Sequence, residues 1–157
     1  MFMLSRRSRL VVTGLVAAAL VGAGCGGESD EDKKEEYADK LDEASGKFNR
    51  ELTAAGATMR AAGQSKSREQ YGRGAQQLQA AADDFKEELD ELEAPSDAEN
   101  EEEAVVEAVD EFAESVGRIN AAVQERDDDA IRAEAASVQA QGAEVDQAIK
   151  TLKEAVE

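Results

Sequence analysis

Four stretches of this chain, one after another, place apolar residues alternately three and four positions apart. The first runs Tyr37, Leu41, Ala44, Phe48, Leu52, Ala55, Met59, Ala62. The second is Tyr71, Ala75, Leu78, Ala82, Phe85, Leu89, Leu92. The third reaches back to Ala98 and continues Val105, Val109, Phe112, Val116, Ile119, Val123. The fourth is Ile131, Ala135, Val138, Gly142, Val145, Ile149, Leu152, Val156. Such steps keep one seam of a helix turned toward a partner, whereas a strand would alternate by two. A single stripe arises by chance; four in succession constrain the chain to long helices packed on one another.

The punctuation between stripes agrees. Gly63 lies just past the first stripe, where a glycine relaxes a last helical turn. Ser67 with Gln70 forms a capping-box pattern for the second helix, and Ser96 with Glu99 forms another for the third. Pro95 halts the second helix, and Asp127, Asp128 and Asp129 open the fourth with acids placed against the helix dipole. These signals predict helices over about 33–62, 67–93, 97–126 and 128–156. Each is about 40 to 50 Å long at 1.5 Å per residue. Connections of a few residues between long helices favour antiparallel neighbours. The expected fold is therefore all-α: an antiparallel up-down-up-down four-helix bundle over 33–157 with heptad packing of the coiled-coil kind. The competing arrangement is a pair of helical hairpins that dimerises, so the stripes leave the oligomeric state open.

The stripes are rich in alanine, with one or two aromatic residues in each of the first three and none in the fourth. Small residues let helices approach closely but bury little area each, at about 25 cal/mol per Å². Stability is expected from all four helices together. Phe48, Phe85, Phe112 and Met59 sit on the stripes, which assigns them to packing rather than to a cofactor box.

The N-terminus has a different character. Arg6, Arg7 and Arg9 precede an apolar run from Leu10 to Gly24. That run is shorter than the roughly 20 residues a membrane-spanning helix needs. It ends in small residues, as a signal-peptide cleavage site does. The segment Val21-Gly22-Ala23-Gly24-Cys25 resembles the lipobox of bacterial lipoproteins. The match rests on Ala23, Gly24 and Cys25; Gly22 stands where that motif usually has leucine or another aliphatic residue. In that family the cysteine thiol carries a diacylglycerol and begins the mature protein. The resemblance implies a signal peptide over 1–24, cleavage before a lipidated Cys25, and anchorage to the extracytoplasmic face of the cell membrane. It covers about the first sixth of the chain. Residues 25–32 then read as a flexible acidic tether. Ser5 to Leu10 is also similar to a twin-arginine export signal, with Arg9 in place of an apolar residue. Export by that route or by the general one stays open. Cys25 is the only cysteine, so no intramolecular disulfide is expected.

Composition excludes much chemistry. Net charge is −18, and loss of the three signal arginines leaves 15 basic against 36 acidic residues, −21. Such a chain is repelled by nucleic acid. There is no histidine and no tryptophan. Histidine-based acid–base catalysis, Ser-His-Asp triads and the Glu-x-x-His pairs of di-iron bundles are therefore ruled out. With Cys25 assigned to lipid, thiol nucleophiles and cysteine zinc sites go as well. Asp127 to Asp129 lacks the alternating acids, glycine and distal glutamate of an EF-hand loop. Glu99, Glu101, Glu102 and Glu103 read as a solvated first turn. The expectation is a non-enzyme with no metal and no cofactor beyond the diacylglycerol on Cys25.

Charge is unevenly spread along the chain. Asp83 to Glu103 holds twelve acids and one lysine, and Glu28 to Glu43 holds nine acids against three lysines. In the expected topology both fall at the end nearest the membrane. Arg60, Lys66, Arg68, Arg73, Arg126 and Arg132 fall toward the far end, with Arg118 nearby, and form a candidate interaction surface. The expected role is a membrane-anchored structural or interaction module of the cell envelope. Its partner would be another envelope protein or an anionic cell-wall polymer. The alternatives are a sensory or small-solute-binding bundle outside the cytoplasm and weak, many-site binding of divalent cations.

Overall fold

A computed structural model describes residues 30–156 and consists of four α-helices. They are α1 (Asp30–Ser65), α2 (Arg68–Asp90), α3 (Glu99–Glu125) and α4 (Asp128–Val156). The signal peptide expected over 1–24, and Ala23, Gly24 and Cys25 with it, lie outside the described residues. None of the four helices is long and apolar enough to cross a membrane.

Consecutive helices pack side by side, α1 on α2, α2 on α3 and α3 on α4, while α1 and α4 meet over a smaller area. The backbones of α1 and α3, and of α2 and α4, stay more than 8 Å apart. Side chains bridge the middle. Phe48 of α1 stacks on Phe85 of α2 with centroids 4.6 Å apart, and meets Phe112 of α3 edge-on at 6.2 Å. Leu41, Val105, Val109, Val116, Ile119, Val145 and Leu152 are fully enclosed around this cluster. Leu52, Met59 and Ala135 are only partly buried against it.

The helix limits correct several expectations. Asp30, Glu31 and Asp32 belong to α1 rather than to a tether ending at residue 32, since acids favour a helix N-terminus. At the other end α1 continues through Gly63 to Ser65, and Lys66 takes the left-handed turn at φ 53°. Gly63 serves packing instead: a Cβ there would stand 3.0 Å from the Tyr71 hydroxyl. α2 stops at Asp90, where Glu91 N–H returns to Glu87 O and Leu92 N–H to Leu89 O at 2.9 Å. The chain thus leaves the helix well ahead of Pro95, which disfavours helical backbone in the residue before it. Ser96 does not cap α3. Ala98 stands at that position, its N–H bonded to Pro95 O at 2.8 Å, and no side chain caps the helix.

Candidate functional site

Two short turns lie together at one end of the molecule, and they are built alike. After α1, Ser67 N–H donates to Ala62 O at 3.1 Å; after α3, Asp127 N–H donates to Ala122 O at 3.0 Å. Between them sit Lys66 at φ 53° and Arg126 at φ 61°. This is the Schellman closure, in which glycine usually occupies the left-handed position because other residues are strained there. Each turn then caps the next helix. Ser67 Oγ accepts from Gln70 N–H at 3.3 Å, and Asp127 Oδ1 accepts from Asp129 N–H at 3.0 Å and Ala130 N–H at 2.9 Å. The first capping box is only half formed, because the Gln70 side chain meets Ser65 Oγ at 2.8 Å instead of turning back to Ser67.

A bidentate contact joins the two turns: Arg68 Nε and Nη2 donate to Asp128 Oδ1 and Oδ2 at 2.7 and 3.0 Å. Arg68 holds the Asp128 carboxyl below the usual carboxylate range. Of the other cations assigned to this surface, Arg132 pairs with Asp129 and Arg73 approaches Glu69 at 4.0 Å. Nearby, Arg118 donates to Glu134 Oε2 at 2.8 Å and to the buried Ser115 Oγ. Arg60, Lys66 and Arg126 have no ion-pair partner among the described residues. The structure therefore brings four of the six candidates around one pair of turns, with Arg60 and Arg73 each about a turn and a half away along α1 and α2. It leaves three of the six open to an outside partner.

The opposite end holds the connection from 91 to 98 and the start of α1. Lys34 pairs with Asp97, and Lys153 of α4 with Asp42 at 2.5 Å. Lys34 holds the Asp97 carboxyl below its ordinary value. Tyr37, 3 % exposed, donates its hydroxyl to Glu102 Oε1 at 2.9 Å. Burial pushes the Glu102 carboxyl up, the phenol opposes it, and the charges of Asp90 and Glu99 add to the rise. The Tyr37 phenol is raised by its own burial and then by Glu102. Glu101 and Glu102 are thus half-buried, correcting the expectation of a fully solvated first turn in α3. The available signal was Tyr37 itself, since a phenol on an apolar stripe needs an acceptor.

An open groove of about 340 Å³ runs between α1 and α2, lined by Lys40, Lys47, Arg50, Glu43, Glu88 and Glu91 with Ala44 and Leu92. Its charges answer one another: Lys47 Nζ lies 2.6 Å from Glu88 Oε1 and 3.7 Å from Asp84 Oδ2. Ligand sites of this size are generally concave and mainly apolar with a few convergent polar groups; this groove is open and is lined by charged side chains with only Ala44 and Leu92 as apolar ones. Among the described residues no three carboxylates converge as a metal site would require.

No curated protein and no solved structure is significantly similar to this chain. Residues 32–152 match the family described as Domain of unknown function (DUF7018), a span that takes in all but the first two and last four residues of the four helices, and the chain belongs to that family.

Proposed function

We propose that the chain is an exported lipoprotein whose helices form an up-down-up-down antiparallel bundle, held at the membrane by Cys25 and acting without catalysis. The observation that carries this reading is the N-terminal pattern: three arginines, an apolar run and Ala23-Gly24-Cys25, five residues ahead of the first helix at Asp30. The contacts between helices support the topology. Lys47 with Glu88, Lys86 with Asp110 and Arg118 with Glu134 tie successive helices along their lengths, as an up-and-down run with a/d seams would.

With the lipid at Cys25, the acidic end faces the membrane and the paired turns face away. Anionic headgroups repel the acidic end over about 8 to 10 Å at physiological salt, which holds the module off the surface. The outward turns present Lys66 and Arg126, with Arg60 behind them, to an envelope protein or an anionic wall polymer. Growth with a radiolabelled fatty acid tests the anchor. Label should enter the wild-type chain and not Cys25→Ser. Equal labelling of both would remove the lipid from Cys25, and no labelling of either would remove it from the protein.

A further inference from the structure

The first turns of α1 are fastened at two points that differ in kind. Lys34 and Asp97 are 32 % and 57 % exposed, so water competes freely for that pair. Tyr37 is enclosed, its only acceptor here is Glu102 Oε1, and that carboxyl is half-buried at the start of α3. The adjoining residue in the chain, Glu101, has its Oε2 buried without a hydrogen-bond partner among the described residues.

We propose that the Tyr37–Glu102 contact is an acid-tightened latch between the start of α1 and the start of α3. The latch works on the segment through which everything upstream joins the helices, and it holds whatever is attached there.

The charges around the latch are mainly negative. On α1 they are Lys33, Lys34, Glu36 and Lys40, of which Lys34 is engaged by Asp97 and Lys40 by Glu36 at 2.7 Å. On α2 they are Asp90 and, past its end, Glu91; the connection adds Glu93 and Asp97. On α3 they are Glu99 and Glu101. The nearest cation of α4, Lys153, is held by Asp42 more than a turn further along α1. An ionised Glu102 therefore loses water and faces mainly like charge, with one phenol in compensation and Lys33 the one cation of this group not engaged by an acid among the described residues. Its desolvation outweighs that hydrogen bond, which leaves its carboxyl above the ordinary range.

Protonation removes the cost while leaving the carbonyl oxygen free to accept from Tyr37. When the latch opens, Glu102 returns to water and to its ordinary proton affinity. The closed state thus binds the proton more tightly, and by linkage acid favours closure. The stabilisation is complete below an ordinary glutamate pKa of about 4.3 and is lost as pH rises through the raised value of the closed state. Asp97 runs the opposite way: Lys34 holds it low, so that contact survives until pH falls through its depressed value. The first fastening is complete only below about 4.3 and the second only above an ordinary aspartate pKa of about 3.9, so both are at full strength only at about pH 4.

Hydrogen exchange on the full chain, corrected for intrinsic rates, tests this. The readout is protection of the α1 amides over 33–41 relative to those over 44–55, which cancels any general effect of lowering the chain's negative charge. From pH 7.5 down to about 4.3 the ratio should rise in the wild type, stay high and flat in Glu102→Gln, and keep its pH dependence in Glu99→Gln, which removes a neighbouring charge from the same turn. A flat wild-type ratio, or the same slope in Glu102→Gln as in the wild type, would overturn the latch. So would a Glu99→Gln chain as flat as Glu102→Gln, which would make local charge density the cause.

Discussion

Gly74 of α2 lies against Met59 of α1 so closely that a methyl group in its place would stand 2.5 Å from Met59 Cγ. Ala55 O and Met59 N lie 3.5 Å from the same point, at ordinary van der Waals distance, so the clash falls on the Met59 side chain. The glycine sets how near α1 and α2 can come.

Gly74→Ala should therefore lower stability by about 1 to 3 kcal/mol through overpacking, despite alanine's better helix propensity. Gly56→Ala should do the opposite. A Cβ there meets nothing within 4 Å, and the gain is about 0.5 to 1 kcal/mol. Urea midpoints of the two variants should move in opposite directions; a shared direction would mean that α1 and α2 are not in this register.

Phe48 touches both Phe85 and Phe112 and is 1 % exposed. Phe48→Ala should cost about 3 to 5 kcal/mol, as large-to-small changes in a closed core do. Surface replacements such as Ala57→Ser should stay within about 0.5 kcal/mol. Chemical denaturation separates the two; a mild Phe48→Ala would place the core elsewhere.

Lys66 and Arg126 hold left-handed backbone that glycine adopts freely, at a cost of about 1 to 2 kcal/mol to each L-residue. Lys66→Gly and Arg126→Gly should each raise stability, offset in part by losing a cation at a helix C-terminus. The same double variant should weaken any salt-sensitive retention of the protein in the cell wall. A more stable protein with unchanged retention would leave the two cations without the interaction role proposed for them.

Much of this was legible in the sequence, and the exceptions have physical reasons. Phe48, Val105, Val109, Ile119 and Leu152 fell on stripes whose period is that of a buried helix face, and all are enclosed. Leu52, Met59 and Ala135 fell on the same stripes yet are only partly buried. Their burial depends on how closely the neighbouring helices approach, which a stripe on one helix does not encode. Gly63 misled as a stop signal because the Schellman bonds set the turn, and they force Lys66 into it. Ser45 and Ser115 are buried polar residues that periodicity reads as surface. Ser45 bonds the carbonyl of Asp42 at 3.3 Å, and Ser115 is met by Arg118. The six distal cations carry no distinction in the sequence pattern, but Arg68 is engaged by Asp128 across the two turns and Arg73 and Arg132 by Glu69 and Asp129 on their own helices, which leaves Arg60, Lys66 and Arg126.

A lipid on Cys25, a few residues ahead of α1, underlies the proposed anchorage and orientation. Intact-mass measurement of the protein extracted from membranes of its host, alongside Cys25→Ala, reads it out. The wild-type chain should begin at Cys25 and carry the added mass of a diacylglyceryl group, absent from the variant. A chain that begins elsewhere, or one with a free Cys25 thiol, would overturn the anchor.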